Sequence, residues 1–252
     1  MTLKRTVFRF AVFGIFLTIG LWMAHSIHDP FQDSKSNEPQ FSIETSQSEQ
    51  YRLLLIVVDK VTNKAELQSA WWISSRVNMP IAMVSLYPNV TQQNFRDTEL
   101  VDTFSLVGIW NSRRPNKKSL ELLNEWDIHW NDYLVIDLAV QAAIVDEFSG
   151  ITIDGLPQRG KEVNQQVKKL STSSEQLNYQ SKLWSAICSQ ASKQPEGLKL
   201  GILPLNLDNH ILTSLDIEKN SIALFPPQPT FPVCMVNAGL MEAALPPFLP
   251  TK

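Results

Sequence analysis

Cysteine is scarce in this chain, and two in 252 residues are too few to build a disulfide scaffold. Excess charge is also missing: the net charge of −3 leaves no basic footprint for nucleic acid. The four histidines do not cluster. His25 and His28 flank the N-terminal apolar run, while His129 and His210 stand alone, so they suggest no metal centre, which needs three or four convergent ligands. There is no Gly-x-Ser-x-Gly elbow, no phosphate-binding glycine loop and no Cys-x-x-Cys pair. Serines are plentiful, but none has a neighbourhood that would activate it as a nucleophile. No internal repeat is visible, and no apolar run beyond the N-terminus is long enough to span a bilayer.

What is present suits a globular protein rather than a disordered one, with 44% hydrophobic and 19% charged residues. Lys4, Arg5 and Arg9 surround the start of an apolar stretch that runs from Val7 to Ala24, interrupted by few polar residues. Its length approaches the roughly 17–25 residues of a transmembrane helix. Cations on its N-terminal side only place the remainder outside the cytoplasm. Cleavage as a signal peptide at Ala24-His25-Ser26 is the alternative, and the bulky Trp22 and Met23 argue against it. Residues 26–49 form a polar linker without an apolar period. The expected organisation is therefore a cytoplasmic stub and anchor over 1–25, a linker over 26–49, and an extracytoplasmic domain over 50–252 with a proline-rich tail.

Within that domain, Leu53 to Val58 is an unbroken apolar run, the pattern of a strand buried on both faces. Ala65 to Ala70 reads as a loop, and Trp71–Ser75 with Ile81–Leu86 as a strand pair. Lys117 to Glu125 is helical in pattern, with Leu120, Leu122 and Leu123 on its apolar side. Glu162 to Leu170 is weakly helical. Ser174 to Ala191 is a better helix, with Leu177, Trp184, Ile187, Cys188 and Ala191 on one face. Leu198 to Leu203 reads as a strand, Asp208 to Leu215 as a short helix, and Ile222 to Phe225 as the last strand. Strands alternating with helices imply a layered α-β-α domain of the α/β class, and the early strand pair implies a mixed central sheet.

The most informative block is Asn131 to Gly155. Tyr133 to Ile136 is a second apolar strand; Leu138, Ala142, Val145 and Phe148 recur at helical spacing; Gly150 ends the helix; Ile151 and Ile153 open the next strand. This block resembles the central segment of the LytR-CpsA-Psr (LCP) family, in which a tyrosine-containing strand leads into a helix ending in Val-Asp and a glycine turn. The resemblance runs from Tyr51 to Ala191 and more weakly through Leu212-Thr213-Ser214-Leu215. It implies a fold and an activity, the transfer of glycopolymers from a polyprenyl pyrophosphate carrier to the bacterial cell wall.

The family's charged motifs are mostly replaced. Its first strand ends in Gly-x-Asp; here Val57 takes the glycine position and Asp59 remains. Its Arg-x-Asp-Thr element corresponds to Leu67-Gln68-Ser69-Ala70-Trp71-Trp72, and its Ile-Pro-Arg-Asp-Thr to Leu86-Tyr87-Pro88-Asn89-Val90-Thr91. Its arginine-rich helix start corresponds to Ser174 to Lys182, which carries Glu175, Gln176, Asn178 and Gln180 instead. Arginine forks and a carboxylate-held divalent cation neutralise a pyrophosphate, and losing one such stabilising group costs about 2.7–4 kcal/mol in the transition state. The resemblance therefore implies a degenerate member that binds a polyprenyl-linked or cell-wall glycan with impaired catalysis. No cofactor is expected, and Mg²⁺ only if the protein is catalytic. An active Mg²⁺-dependent phosphotransferase and an interaction module without a small ligand are the alternatives.

Asp59 is the one catalytic or metal position that carries over. Arg76, Arg113 and Arg114 are candidates for an anionic ligand or lipid head groups, against the alternative of a solvated loop. Trp184 is a candidate for lining an apolar groove, against ordinary core packing. Asp146 reads as structural, and Asp137 and Asp154 as capping or solvent-facing. Cys188 and Cys234 are candidates for a disulfide tying the tail to the domain; a buried thiol packing as a small hydrophobe is the alternative.

Overall fold

The computed structural model describes residues 51–75, 80–89, 95–109, 112–191, 193–194, 197–215, 219, 222–225 and 234–237. The chain divides into two units, Met1–Thr45 and Ser46–Lys252, and every described residue belongs to the second. The expected membrane helix, the linker and Arg76 lie outside the described residues. Among those described, no helix is long and apolar enough to cross a membrane.

The elements follow in chain order. Strands β1 (Tyr51–Val58), β2 (Leu67–Ser75) and β3 (Ile81–Tyr87) come first. Helix α1 (Phe95–Thr103), the short pair β4 (Leu106–Val107) and β5 (Arg114–Pro115), and α2 (Lys117–Glu125) follow. Then come β6 (Asp132–Asp137), α3 (Leu138–Glu147), β7 (Ile151–Ile153), β8 (Leu156–Gln158), α4 (Gly160–Val167) and α5 (Ser173–Ala191). The last are β9 (Leu198–Lys199), β10 (Ile211–Thr213), β11 (Ala223–Phe225) and β12 (Cys234–Asn237).

Six strands form one mixed sheet in the order β10-β6-β1-β2-β3-β12. β1 runs parallel to β6, β12 parallel to β3, and the remaining neighbours are antiparallel. β1 and β6 are both interior, as their unbroken apolar sequences require. Successive side chains enter opposite layers. Leu53, Leu55, Val57, Trp71, Ile73, Leu134 and Ile136 pack with residues of α3, α4 and α5. Leu54, Ile56, Val58, Trp72, Val84 and Val135 pack with residues of α1 and α2. Leu54 and Leu55 are both 0% exposed, one in each layer, and full burial of one such side chain contributes about 1.5–3 kcal/mol. The domain is thus a layered α-β-α sandwich.

Several sequence expectations need correction. Residues 67–70 are strand, not loop: Leu67, Ser69 and Ala70 are buried, and the ladder to β1 continues through them. The expected strand over 198–203 stops after two residues, where a 3-10 turn covers Leu200–Ile202. The expected helix over 208–215 is a 3-10 turn at Leu207–Asn209 followed by β10, because Ile211 to Thr213 pair with the outer side of β6. Residues 223–225 are a strand, but β12 follows them, paired with β3 despite the surrounding prolines.

Local chemistry explains the helix positions that matter below. Asp137 caps α3, its Oδ1 accepting from the N–H groups of Ala139 and Val140 at 2.9 and 3.0 Å. Asp146 accepts the Gly160 N–H at 2.9 Å and so links α3 to α4, a structural role. Gly160 lies so close to α3 that a Cβ there would run into the Ala142 carbonyl. Cys188 on α5 is joined to Cys234 on β12 by a disulfide, with Cα atoms 5.8 Å apart.

Candidate functional site

The parallel strands β1 and β6 end side by side, Val58 paired with Asp137. In open α/β sheets, ligands bind beyond the carboxyl ends of such strands. A cleft of about 720 Å³ opens there, lined by Asp59, Lys60, Glu66, Asn164, Lys168 and His210, with Asp137 and Leu138 among its other walls. It draws on the turn after β1, the first turn of α3, the inner side of α4 and the turn before β10.

Asp59 fastens the turn after β1. Its backbone N–H donates to the Glu66 carbonyl at 3.0 Å, and its Oδ1 accepts the Glu66 N–H at 2.7 Å. Its Oδ2 has no hydrogen-bond partner among the described residues. Arg113 steadies the same turn from outside, donating to the Val61 carbonyl at 3.2 Å and to Asn63 Oδ1 at 3.1 Å. Arg113 is half-buried in that position, and Arg114 sits exposed on β5. Neither lines the cleft.

Asp137 and His210 form the centre of the site. Asp137 is buried, and its Oδ2 lies 2.6 Å from His210 Nδ1. Its backbone N–H also donates to the His210 carbonyl at 3.2 Å. His210 is therefore not isolated, as its place in the sequence suggests; β10 delivers it to the cap of α3. His129 is paired too, its Nε2 3.0 Å from Asp127 Oδ1, but that pair is exposed and local. Asp154 is solvent-facing and bonds Lys182 at 2.7 Å.

Trp184 does not line this cleft. It is 0% exposed in the core layer beneath α5, with Leu183 and Ile187. A small apolar void lies in the opposite layer, between β1 and the helices α1 and α2; its volume of about 10 Å³ is no more than one water needs, too little for a lipid chain. Among the described residues no three His, Cys, Asp or Glu side chains converge to hold a metal ion. Asp137 already spends both oxygens on protein donors, which leaves Asp59 and Glu66 as the carboxylates of the cleft. One or two carboxylates completed by waters and substrate phosphates are an ordinary Mg²⁺ set, so Asp59 and Glu66 are the residues that would hold such an ion.

Sequence reasoning found Asp59 through the family motif but missed the Asp137–His210 pair. The one signal available was an aspartate directly preceding an apolar helix, a capping pattern that says nothing of a distant histidine.

No protein-family model matches the chain, and no characterised protein matches it in sequence. Its likeness to solved structures is distant. The transcriptional regulator yvhJ from Bacillus subtilis is 14% identical, with 59% of this chain and 65% of that one covered and a TM-score of 0.41. This chain thus spans just under two thirds of that structure. TagV of B. subtilis is 12% identical, with 68% and 75% covered and a TM-score of 0.43. TagT, solved bound to LIIa-WTA, is 12% identical, with 74% and 78% covered and a TM-score of 0.45. These likenesses concern fold alone.

Proposed function

We propose that this protein is a membrane-anchored, extracytoplasmic LCP-like protein of the bacterial cell envelope. Its cleft binds a cell-wall or polyprenyl-linked glycan, and phosphoryl transfer is impaired. The observation that carries this reading is the lining of the cleft. It keeps Asp59 beside Glu66 and Asp137 and adds lysine, carboxamide, hydroxyl and histidine groups, and no arginine is among its lining residues. Such groups hydrogen-bond sugar hydroxyls well, whereas a pyrophosphate is best held by planar guanidinium forks. The family resemblance over residues 51–191 supports the ligand class. The apolar run over residues 7–24 and the cations around its start support the anchor and its orientation.

The test uses the full chain in detergent micelles. Titration with muropeptide-derived oligosaccharides should show saturable binding, weakened by Asp59→Ala and by Asn164→Ala. A polyprenyl pyrophosphate with Mg²⁺ should show little phosphate release. The retained Asp59 favours one rival reading, the active Mg²⁺-dependent phosphotransferase. Robust Mg²⁺-dependent turnover that disappears in Asp59→Ala would establish that rival and exclude impaired catalysis.

A further inference from the structure

The most organised polar unit of the cleft is the Asp137–His210 pair. Asp137 accepts at both oxygens, from Ala139 and Val140 N–H at Oδ1 and from His210 at Oδ2. An acceptor-only neighbour at 2.6 Å makes Nδ1 the protonated nitrogen of the imidazole. Nε2 of the neutral ring is then the bare one, and it has no hydrogen-bond partner among the described residues. The His210 side chain is 30% exposed while that of Asp137 is 4% exposed, so the ring meets the water of the cleft and its orienting carboxylate does not. The residue is also held through its backbone: its N–H donates to the Leu207 carbonyl at 3.1 Å, and its carbonyl accepts from Asp137. This is the arrangement of a general base with a buried orienting group.

We propose that the Asp137–His210 pair gives this cleft a metal-independent hydrolytic activity toward a carboxylic ester carried on a sugar hydroxyl. The choice of bond follows from the groups present. The organised unit of this cleft is a carboxylate–imidazole pair, whereas glycoside cleavage works with two carboxylates flanking the bond. Phosphoryl transfer needs clustered cationic neutralisation, and the lining offers two lysines but no arginine fork. Adding water to an ester carbon needs a base and a positive or N–H group near the developing oxyanion, and Lys60 and Lys168 line the same space. In the first step Nε2 takes one proton from water as the water oxygen bonds to the carbonyl carbon. In the second the carbon–alkoxide bond breaks, and the imidazolium returns that proton to the leaving sugar oxygen. Water and ester become a carboxylic acid and a free hydroxyl, and the imidazole is regenerated. His210 is the catalytic residue and Asp137 a positioning residue.

The inference rests on the reading of this cleft as a glycan site, and the experiment separates the two. The full chain in detergent micelles is assayed with 4-nitrophenyl acetate and with an O-acetylated N-acetylglucosamine disaccharide. His210→Gln should lose on the order of 100-fold in rate, the usual contribution of a general base. His129→Gln, which alters the exposed pair, should leave the rate unchanged. Asp137→Asn keeps an N-cap acceptor but presents an N–H donor to Nδ1, which turns the ring to the wrong tautomer, so its rate should also fall while the fold is kept. Free imidazole should restore turnover of the O-acetylated disaccharide to His210→Ala above the rate that imidazole gives without protein, a response that a purely structural histidine would not give. Wild-type rates in His210→Gln, or a folded His210→Ala that imidazole does not rescue, would overturn the proposal. Oligosaccharide binding without His210-dependent hydrolysis removes this inference and leaves the glycan reading. His210-dependent hydrolysis without oligosaccharide binding does the reverse.

Discussion

The two outer strands of the sheet are short, late in the chain and fastened in different ways. β10 lies against β6 and is held by polar groups. Besides the Asp137–His210 contact, Ser214 Oγ accepts the Tyr133 N–H at 2.8 Å and donates to Asp132 Oδ1 at 2.9 Å, and Thr213 Oγ1 donates to the Tyr133 carbonyl at 3.1 Å. β12 lies against β3 and is held covalently, through Cys188–Cys234, to α5. A covalent fastening holds position and little else. A polar fastening at the mouth of a cleft also sets a tautomer and leaves a nitrogen in water, so the same contacts that hold β10 build the chemical site.

The largest effect should come from the covalent side. The disulfide spans a sequence separation of 46, and closing a loop of that length is worth about 4 kcal/mol in the chain-entropy model. Reduction, or Cys234→Ser, should lower the urea midpoint accordingly, and hydrogen exchange should quicken at 234–237 while 211–213 stays protected. Equal loss of protection at both edges would mean that the two are not independent. The next effect belongs to the polar side. Asp137→Ala removes a helix cap, which costs about 0.5–2 kcal/mol, and should quicken exchange at 211–213 but not at 234–237. Ser214→Ala should cost about 0.5–1.5 kcal/mol for its hydrogen bonds and act on the same edge, as chemical denaturation would show. Asp127→Asn in the exposed pair should stay within about 0.5 kcal/mol.

The smallest effect concerns pH near the β3 side. Asp97, on α1, accepts the Asn89 N–H with both oxygens at 3.0 Å, yet burial raises its carboxyl above the ordinary value of 3.8, the hydrogen bond opposing in part. The folded state therefore keeps the proton over a window in which the unfolded state has lost it. Stability should fall as pH rises through 3.8 toward the raised value and level off above it. Asp97→Asn should flatten that part of the profile, and thermal melts across the range would detect a variant that still follows wild type.

The sequence by itself determined the interior of this protein. Leu53–Val58 and Tyr133–Ile136 are too uniformly apolar to be anything but strands covered on both faces, and both lie inside the sheet. The helices at 117–125 and 173–191 followed from their apolar spacing, and Asp59 was singled out only through the family resemblance. Tertiary structure alone decided the two edges and with them the site. Strands of three or four residues carry no period that marks them, and β10 and β12 exist because β6 and β3 offer unpaired ladders to them. Asp137 and His210 are 73 residues apart. Each reads alone as a cap or a stray ring, and they become a pair because β10 runs antiparallel along β6 and sets His210 beside the residue that ends it.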